Sequence, residues 1–200
     1  MKYYSTKDKA CARAFSLREA VQAGLAPDGG LFVPERITQA DMAVAERLAG
    51  ESYAALAGYL AELFFGDDID PGLLRREMER IYDFPLPLRR VGRRCAVELF
   101  HGPTFAFKDY GAGFMGRMIG LMGGAGEKLV ILTATSGDTG SAVAHGFYGV
   151  PGVEVVLLYP EGKISRLQEC QMTTLGGNIH PLRVAGTFDD CQRLVKGGGG

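Results

Sequence analysis

From residue 129 onward the chain alternates continuous apolar runs with amphipathic stretches, a pattern that few folds accept. Leu129-Val-Ile-Leu-Thr133, Val153-Glu-Val-Val-Leu-Leu-Tyr159 and residues 179–184 read as buried strands, while residues 139–148, 165–175 and 187–196 read as helices. A strand that is apolar along its whole length has to be covered on both faces, and helices placed between such strands make them parallel. A shorter apolar strand at Cys95 to Phe100 precedes this series, followed by a helix from Asp109 to Met122 that Gly111, Gly113, Gly116 and Gly120 keep slim. The fold class is therefore α/β: an open parallel sheet with flanking helices.

The first ninety residues carry a different rhythm and read mainly as helices. Ser16-Leu-Arg-Glu19 has the spacing of a capping box, and Gly24 stands where that helix should stop. A turn-rich stretch, Ala26 to Pro34, follows; helices are expected over Thr38 to Leu48 and Ser52 to Phe65. Asp70-Pro71 is an N-cap followed by proline at the first helical position, opening a helix to about Tyr82 that Pro85 and Pro87 terminate. The expected organisation is a helical N-terminal region at 1–90 and an α/β domain at 91–196. Residues 197–200, four consecutive glycines, read as a truncation or a placeholder.

Composition narrows the function classes. A net charge of -1 leaves no electrostatic footprint for nucleic acid or an anionic membrane surface. No apolar run is long enough to span a bilayer, and the polar start Met1-Lys-Tyr-Tyr-Ser-Thr-Lys-Asp-Lys9 lacks the core of a signal peptide. Cys11, Cys95, Cys170 and Cys191 are widely spaced, which fits reduced thiols in a cytoplasm. His101, His145 and His180 are scattered, with no ligand spacing, so no metal site is expected.

Three motifs can carry chemistry. In Glu98-Leu-Phe-His-Gly-Pro-Thr-Phe-Ala-Phe-Lys108-Asp-Tyr-Gly111 one lysine stands among Phe100, Phe105 and Phe107 at the mouth of a helix. Most lysines are solvated, but desolvation favours the neutral amine that Schiff-base chemistry needs. The second motif, Thr133-Ala-Thr135-Ser136-Gly137-Asp138-Thr139-Gly140-Ser141, follows one strand and opens the next helix. Backbone N–H groups, hydroxyls and a helix N-terminus there suit an anion such as a carboxylate or phosphate. Ordinary helix capping uses the same residue types, so the loop alone admits both readings. It has neither Walker A nor G-x-G-x-x-G spacing. The third, Pro160-Glu-Gly-Lys163-Ile-Ser165-Arg166, offers two cations and a hydroxyl, and on its own is equally a solvated turn capped by Ser165.

Together these stretches resemble the N-terminal half of the threonine synthases, pyridoxal-phosphate enzymes of the tryptophan-synthase β-like fold (fold type II). Gly24-Leu-Ala-Pro-Asp-Gly-Gly-Leu31, the segment from Glu98 to Asp109, Thr135 to Ser141, Gly162 to Met172 and Gly186 to Gln192 occur in the family's order and cover nearly the whole chain up to Lys196. The resemblance implies conversion of O-phospho-L-homoserine and water into L-threonine and phosphate, by γ-elimination of phosphate and water addition at Cβ. It implies that Lys108 holds pyridoxal 5′-phosphate and acts as the catalytic base and acid, with Phe105 and Phe107 keeping it dry. Asp138 would lie beside the cofactor's 3′-oxygen, where many fold-type-II relatives carry Asn; an ionised carboxylate there would be repelled, so it should be protonated or turned away. Phe107 is placed with the cofactor. Thr135, Ser136, Gly137, Thr139 and Gly140 would grip the amino-acid carboxylate, and Lys163, Ser165 and Arg166 the substrate's phosphate. Other fold-type-II lyases or dehydratases, and a non-catalytic fragment that binds a phosphorylated ligand, are the alternatives. Threonine synthases run well beyond 200 residues, so the resemblance also implies that this stretch alone is inactive.

Overall fold

The computed structural model describes residues 1–123 and 128–197. The glycine tail expected at 197–200 lies, at residues 198–200, outside the described residues. The chain forms two compact units, Met1–Asp83 and the part from Phe84 onward.

In the first unit, strands β1 (Tyr3–Ser5) and β2 (Phe32–Pro34) pair antiparallel, and the Phe15 and Phe32 rings meet edge-on at 4.9 Å. Helix α1 (Leu17–Ala23) is closed by the expected devices: the Ser16 side chain accepts from Glu19 N–H, the Glu19 carboxylate accepts from Ser16 N–H, and Gly24 ends the helix at φ 67°. The turn-rich stretch is held by Asp28, whose Oδ1 accepts from the Ser5 hydroxyl at 2.7 Å and Gly30 N–H at 2.9 Å. Helices α2 (Met42–Glu51), α3 (Tyr53–Phe65) and α4 (Pro71–Ile81) follow, capped by Asp41, Ser52 and Asp70. Helix α2 begins later than its periodicity suggests because the Asp41 carboxylate accepts from the N–H groups of Ala43 and Val44. Ala54, Ala61, Leu74, Met78 and Ile81 bury their side chains here.

The second unit opens with a hairpin, β3 (Leu88–Val91) against β4 (Arg94–Val97), in which Val91 faces Arg94 across Gly92 at φ 61°. This corrects the strand expected from Cys95 to Phe100. Its apolar residues continue to Phe100, but antiparallel pairing stops at Val97, and the strand is not part of the parallel sheet. The unit then runs α5 (Lys108–Met122), β5 (Leu129–Ala134), α6 (Asp138–Phe147), β6 (Val153–Pro160), α7 (Arg166–Thr173), β7 (Ile179–Val184) and α8 (Phe188–Gly197). Strands β5, β6 and β7 form a parallel sheet in that order. Central β6 is the most buried, as its unbroken apolar run requires, and Phe147, Val155, Leu157 and Met172 are fully enclosed beside it.

Helices α5 and α6 touch through glycine. A Cβ on Gly116 would collide with the backbone of Gly146, and one on Gly146 would sit 2.5 Å from the Ala112 carbonyl oxygen. Gly120 similarly leaves room for Val150. Gly111 meets no neighbour within 4 Å and opens instead onto the space between the two helices.

Candidate active site

The start of α5, the start of α6 and the start of α7 carry the residues singled out by sequence. Lys108 is the first residue of α5 and is half-buried. Its Nζ lies 4.5 Å from the centroid of the Phe107 ring, a cation–π contact that holds the side chain beside its own helix. The aromatic shield is not as expected. Phe105 is 64% exposed and Phe107 61%, because the loop turns through a left-handed backbone at Phe105 (φ 61°) and leaves both rings outside the core.

An open cleft of about 300 Å³ lies between α5 and α6, lined by Phe107, Lys108, Gly111, Ala112 and Met115 from one side and Thr139, Ala142 and Val143 from the other. Lys108, Gly111, Ala112 and Met115 share one helix face by their three- and four-residue spacing. The lysine and the head of α6 thus border one cleft.

The loop before α6 is braced from within by Thr135, which is 1% exposed. Its Oγ1 accepts from Gly137 N–H at 3.0 Å and Gly140 N–H at 2.7 Å and donates to the Gly137 carbonyl oxygen. Thr135 therefore shapes the loop with its hydroxyl fully engaged. Gly137 adopts φ 140°, and a Cβ there would meet the Gln168 side chain at 2.6 Å; a Cβ on Gly140 would collide with Thr135 and Met172. Ser136, Asp138 and Thr139 are exposed, and among the described residues their backbone N–H groups meet no acceptor. Free N–H groups at a helix start are the elements of an anion site.

The turn before α7 presents Lys163, Ser165 and Arg166, all exposed. Ser165 caps α7 in a capping box with Gln168: Gln168 N–H donates to Ser165 Oγ, which itself donates to Gln168 Oε1 at 2.9 Å. The other end of that amide donates from Nε2 to Asp138 Oδ1 at 2.6 Å. One glutamine therefore ties the second predicted loop to the third, and the Asp138 carboxylate is engaged by an amide donor. Sequence reasoning passed over Gln168; the Ser165-x-x-Gln168 spacing is the signal that could have found it. It also passed over Thr104 and Asp109, a buried pair directly before and after the lysine's loop. Tertiary contact alone makes those two notable. Within the same motif, Glu98 accepts from Arg89 and bonds His101 at 2.8 Å, and the His101 bond foremost holds the Glu98 carboxyl below its ordinary range.

A parallel sheet with ligand-grade loops at the carboxyl ends of its strands, and a lysine facing one of them across a cleft, defines a chain of the open α/β class with an amine at its site. The comparisons narrow this. A family model described as "Threonine synthase N terminus" matches residues 2–82. The threonine synthase of Escherichia coli (strain K12) is 44% identical over 198 residues, covering 98% of this chain and 45% of that protein; the threonine synthase of Haemophilus influenzae is 46% identical over 179 residues. The structure of a PLP-bound threonine synthase from Brucella melitensis superposes with a TM-score of 0.90 at 38% identity, covering 98% of this chain and 44% of that one. The E. coli threonine synthase structure gives 0.80 at 42% identity. The chain corresponds to the N-terminal part of the threonine synthases and shares their fold, fold type II. It spans about 45% of the length of the curated relatives it matches.

Proposed function

We propose that the complete protein is a pyridoxal-phosphate-dependent threonine synthase, a lyase that converts O-phospho-L-homoserine and water into L-threonine and phosphate. The observation that carries this reading is the cleft bordered by both Lys108 and the head of α6, in a chain 44% identical to a threonine synthase. The residues fit the cofactor. Lys108 offers a primary amine for an aldehyde, and Ala112, Met115, Ala142 and Val143 offer an apolar wall for an aromatic ring. Bound there, pyridoxal phosphate supplies an electron sink for carbon-acid chemistry.

The rest falls to side chains and backbone. Lys108 holds the cofactor, assisted by Phe107, and its Nζ moves protons at the substrate's Cα and Cβ. The N–H groups of Ser136, Asp138 and Thr139 and the hydroxyls of Ser136 and Thr139 bind the amino-acid carboxylate, and Thr135, Gly137 and Gly140 keep that loop in shape. In this reading Asp138 lies beside the cofactor's 3′-oxygen, its carboxylate drawn toward α7 by Gln168. Lys163, Ser165 and Arg166 receive the phosphate.

Among the described residues no helix is long and apolar enough to cross a membrane. We assign the protein to the cytoplasm, a reading supported by its free cysteines, Cys11, Cys95, Cys170 and Cys191. Incubating the complete protein with pyridoxal phosphate and O-phospho-L-homoserine should release phosphate and threonine in equal amounts. Phosphate-free turnover of serine or threonine to a keto acid, with phosphohomoserine untouched, would assign it to the dehydratases instead.

A further inference from the structure

We propose that Asp109 is a positioning residue for Lys108: its buried carboxylate clamps the loop that delivers the lysine to the cleft. The proposal rests on the reading of Lys108 as the cofactor lysine and adds how the fold aims it. Adjacent residues on a helix do not face the same way. Lys108 borders the cleft with Gly111, Ala112 and Met115, whereas Asp109 is turned into the preceding loop and is 4% exposed. There its Oδ2 accepts from Thr104 N–H at 2.9 Å and its Oδ1 accepts from the Thr104 hydroxyl. Thr104 is itself 7% exposed. Asp109 is therefore an anchor rather than a counter-ion for its neighbour.

The loop is built around this clamp. Gly102 has no room for a side chain, since a Cβ there would stand 2.5 Å from Asp109 Oδ2 and 2.8 Å from its Cβ. Phe105 holds a left-handed backbone at φ 61°, rare for a bulky residue, although its ring is largely exposed and contributes little burial to hold it there. The conformation is held by backbone and clamp: Phe105 N–H bonds the Gly102 carbonyl, Asp109 N–H bonds the Ala106 carbonyl, and both Asp109 oxygens bind Thr104. The Gln171 amide reaches the Thr104 carbonyl from α7 at 3.4 Å, tying the clamped loop to the helix that carries the phosphate turn. A loop fixed at Thr104 and Asp109 has little freedom left between them, and Lys108 lies inside that interval.

The test uses the complete protein with Asp109→Asn, Thr104→Val and Thr104→Ser. In the cofactor-free state, Asp109→Asn should raise amide hydrogen exchange at Thr104 at least tenfold. With pyridoxal phosphate added, Asp109→Asn and Thr104→Val should still carry the borohydride-fixed cofactor on Lys108. Their induced circular dichroism in the cofactor band should weaken, and kcat should fall about tenfold or more at near-constant KM. Thr104→Ser, which keeps the hydroxyl, should restore both. Folded Asp109→Asn and Thr104→Val proteins with wild-type dichroism and turnover would overturn the clamp while leaving Lys108 in place. So would a loss of turnover that only tracks the unfolded fraction, or Thr104→Ser behaving like Thr104→Val. A wild-type label on another residue would overturn the underlying reading and the clamp together.

Discussion

His145, on α6, is pushed below its ordinary imidazole range by burial, an effect that the nearby Asp109 carboxylate and a bond with the Gln171 backbone offset only in part. The folded state therefore resists protonating it, while the unfolded chain binds that proton below about pH 6.5. Stability should fall as pH drops from 7 toward 5, with the slope of at most one proton, ~1.4 kcal/mol per pH unit. His145→Gln should flatten that part of the curve in chemical denaturation across the pH series, and the difference between the two curves isolates His145. Identical slopes would assign the acid sensitivity elsewhere. The carboxylates held low by hydrogen bonds, among them Glu19 through Ser16 and Asp28 through Ser5, act at lower pH: their stabilisation is present above about pH 4 and is lost as acid protonates them in the folded state.

At the level of elements, the approach of α5 to α6 through glycine sets how far apart the two sides of the cleft lie. Gly146→Ala would drive a methyl onto the Ala112 carbonyl, and overpacking of this kind costs about 1–3 kcal/mol. The expected result is a loss of stability of that order in urea denaturation, with the cleft between α5 and α6 widened and cofactor affinity reduced; Gly111→Ala, which meets no neighbour, should leave stability within about 0.5 kcal/mol of the wild type. How much of this was legible follows from the range of each interaction. Strands β5, β6 and β7 declared themselves because a buried parallel strand must be apolar along its length, α1 and α4 because their caps are local, and α3 because its apolar residues recur at helical spacing. Strands β1 and β2 did not, since each has three residues and pairs with a partner some thirty positions away, Tyr3 with Pro34. Of the hairpin β3–β4, the second strand was legible in part, from the apolar run that begins at Cys95, while β3 escaped because it is exposed along its length and carries no core pattern. Lys108 was singled out by its aromatic neighbours, although the structure leaves Phe105 and Phe107 outside the core. Gln168, Thr104 and Asp109 owe their importance to contacts that no spacing announces, apart from the capping box.

Across the whole molecule, the proposed site draws on three successive helix starts, each set by the strand or loop before it. Thr135 shapes the loop at the head of α6, Gln168 ties that loop to the turn before α7, and Asp109 anchors the loop that carries the lysine. The account turns on Lys108 as the residue that holds the cofactor. Reducing the complete protein with borohydride in the presence of pyridoxal phosphate, then mapping the modified peptide by mass spectrometry, tests this most directly. The pyridoxyl mass should fall on Lys108 and vanish, with the cofactor's visible absorbance band, in Lys108→Ala; a label on Lys163 or Lys128, or a band that survives Lys108→Ala, would contradict it.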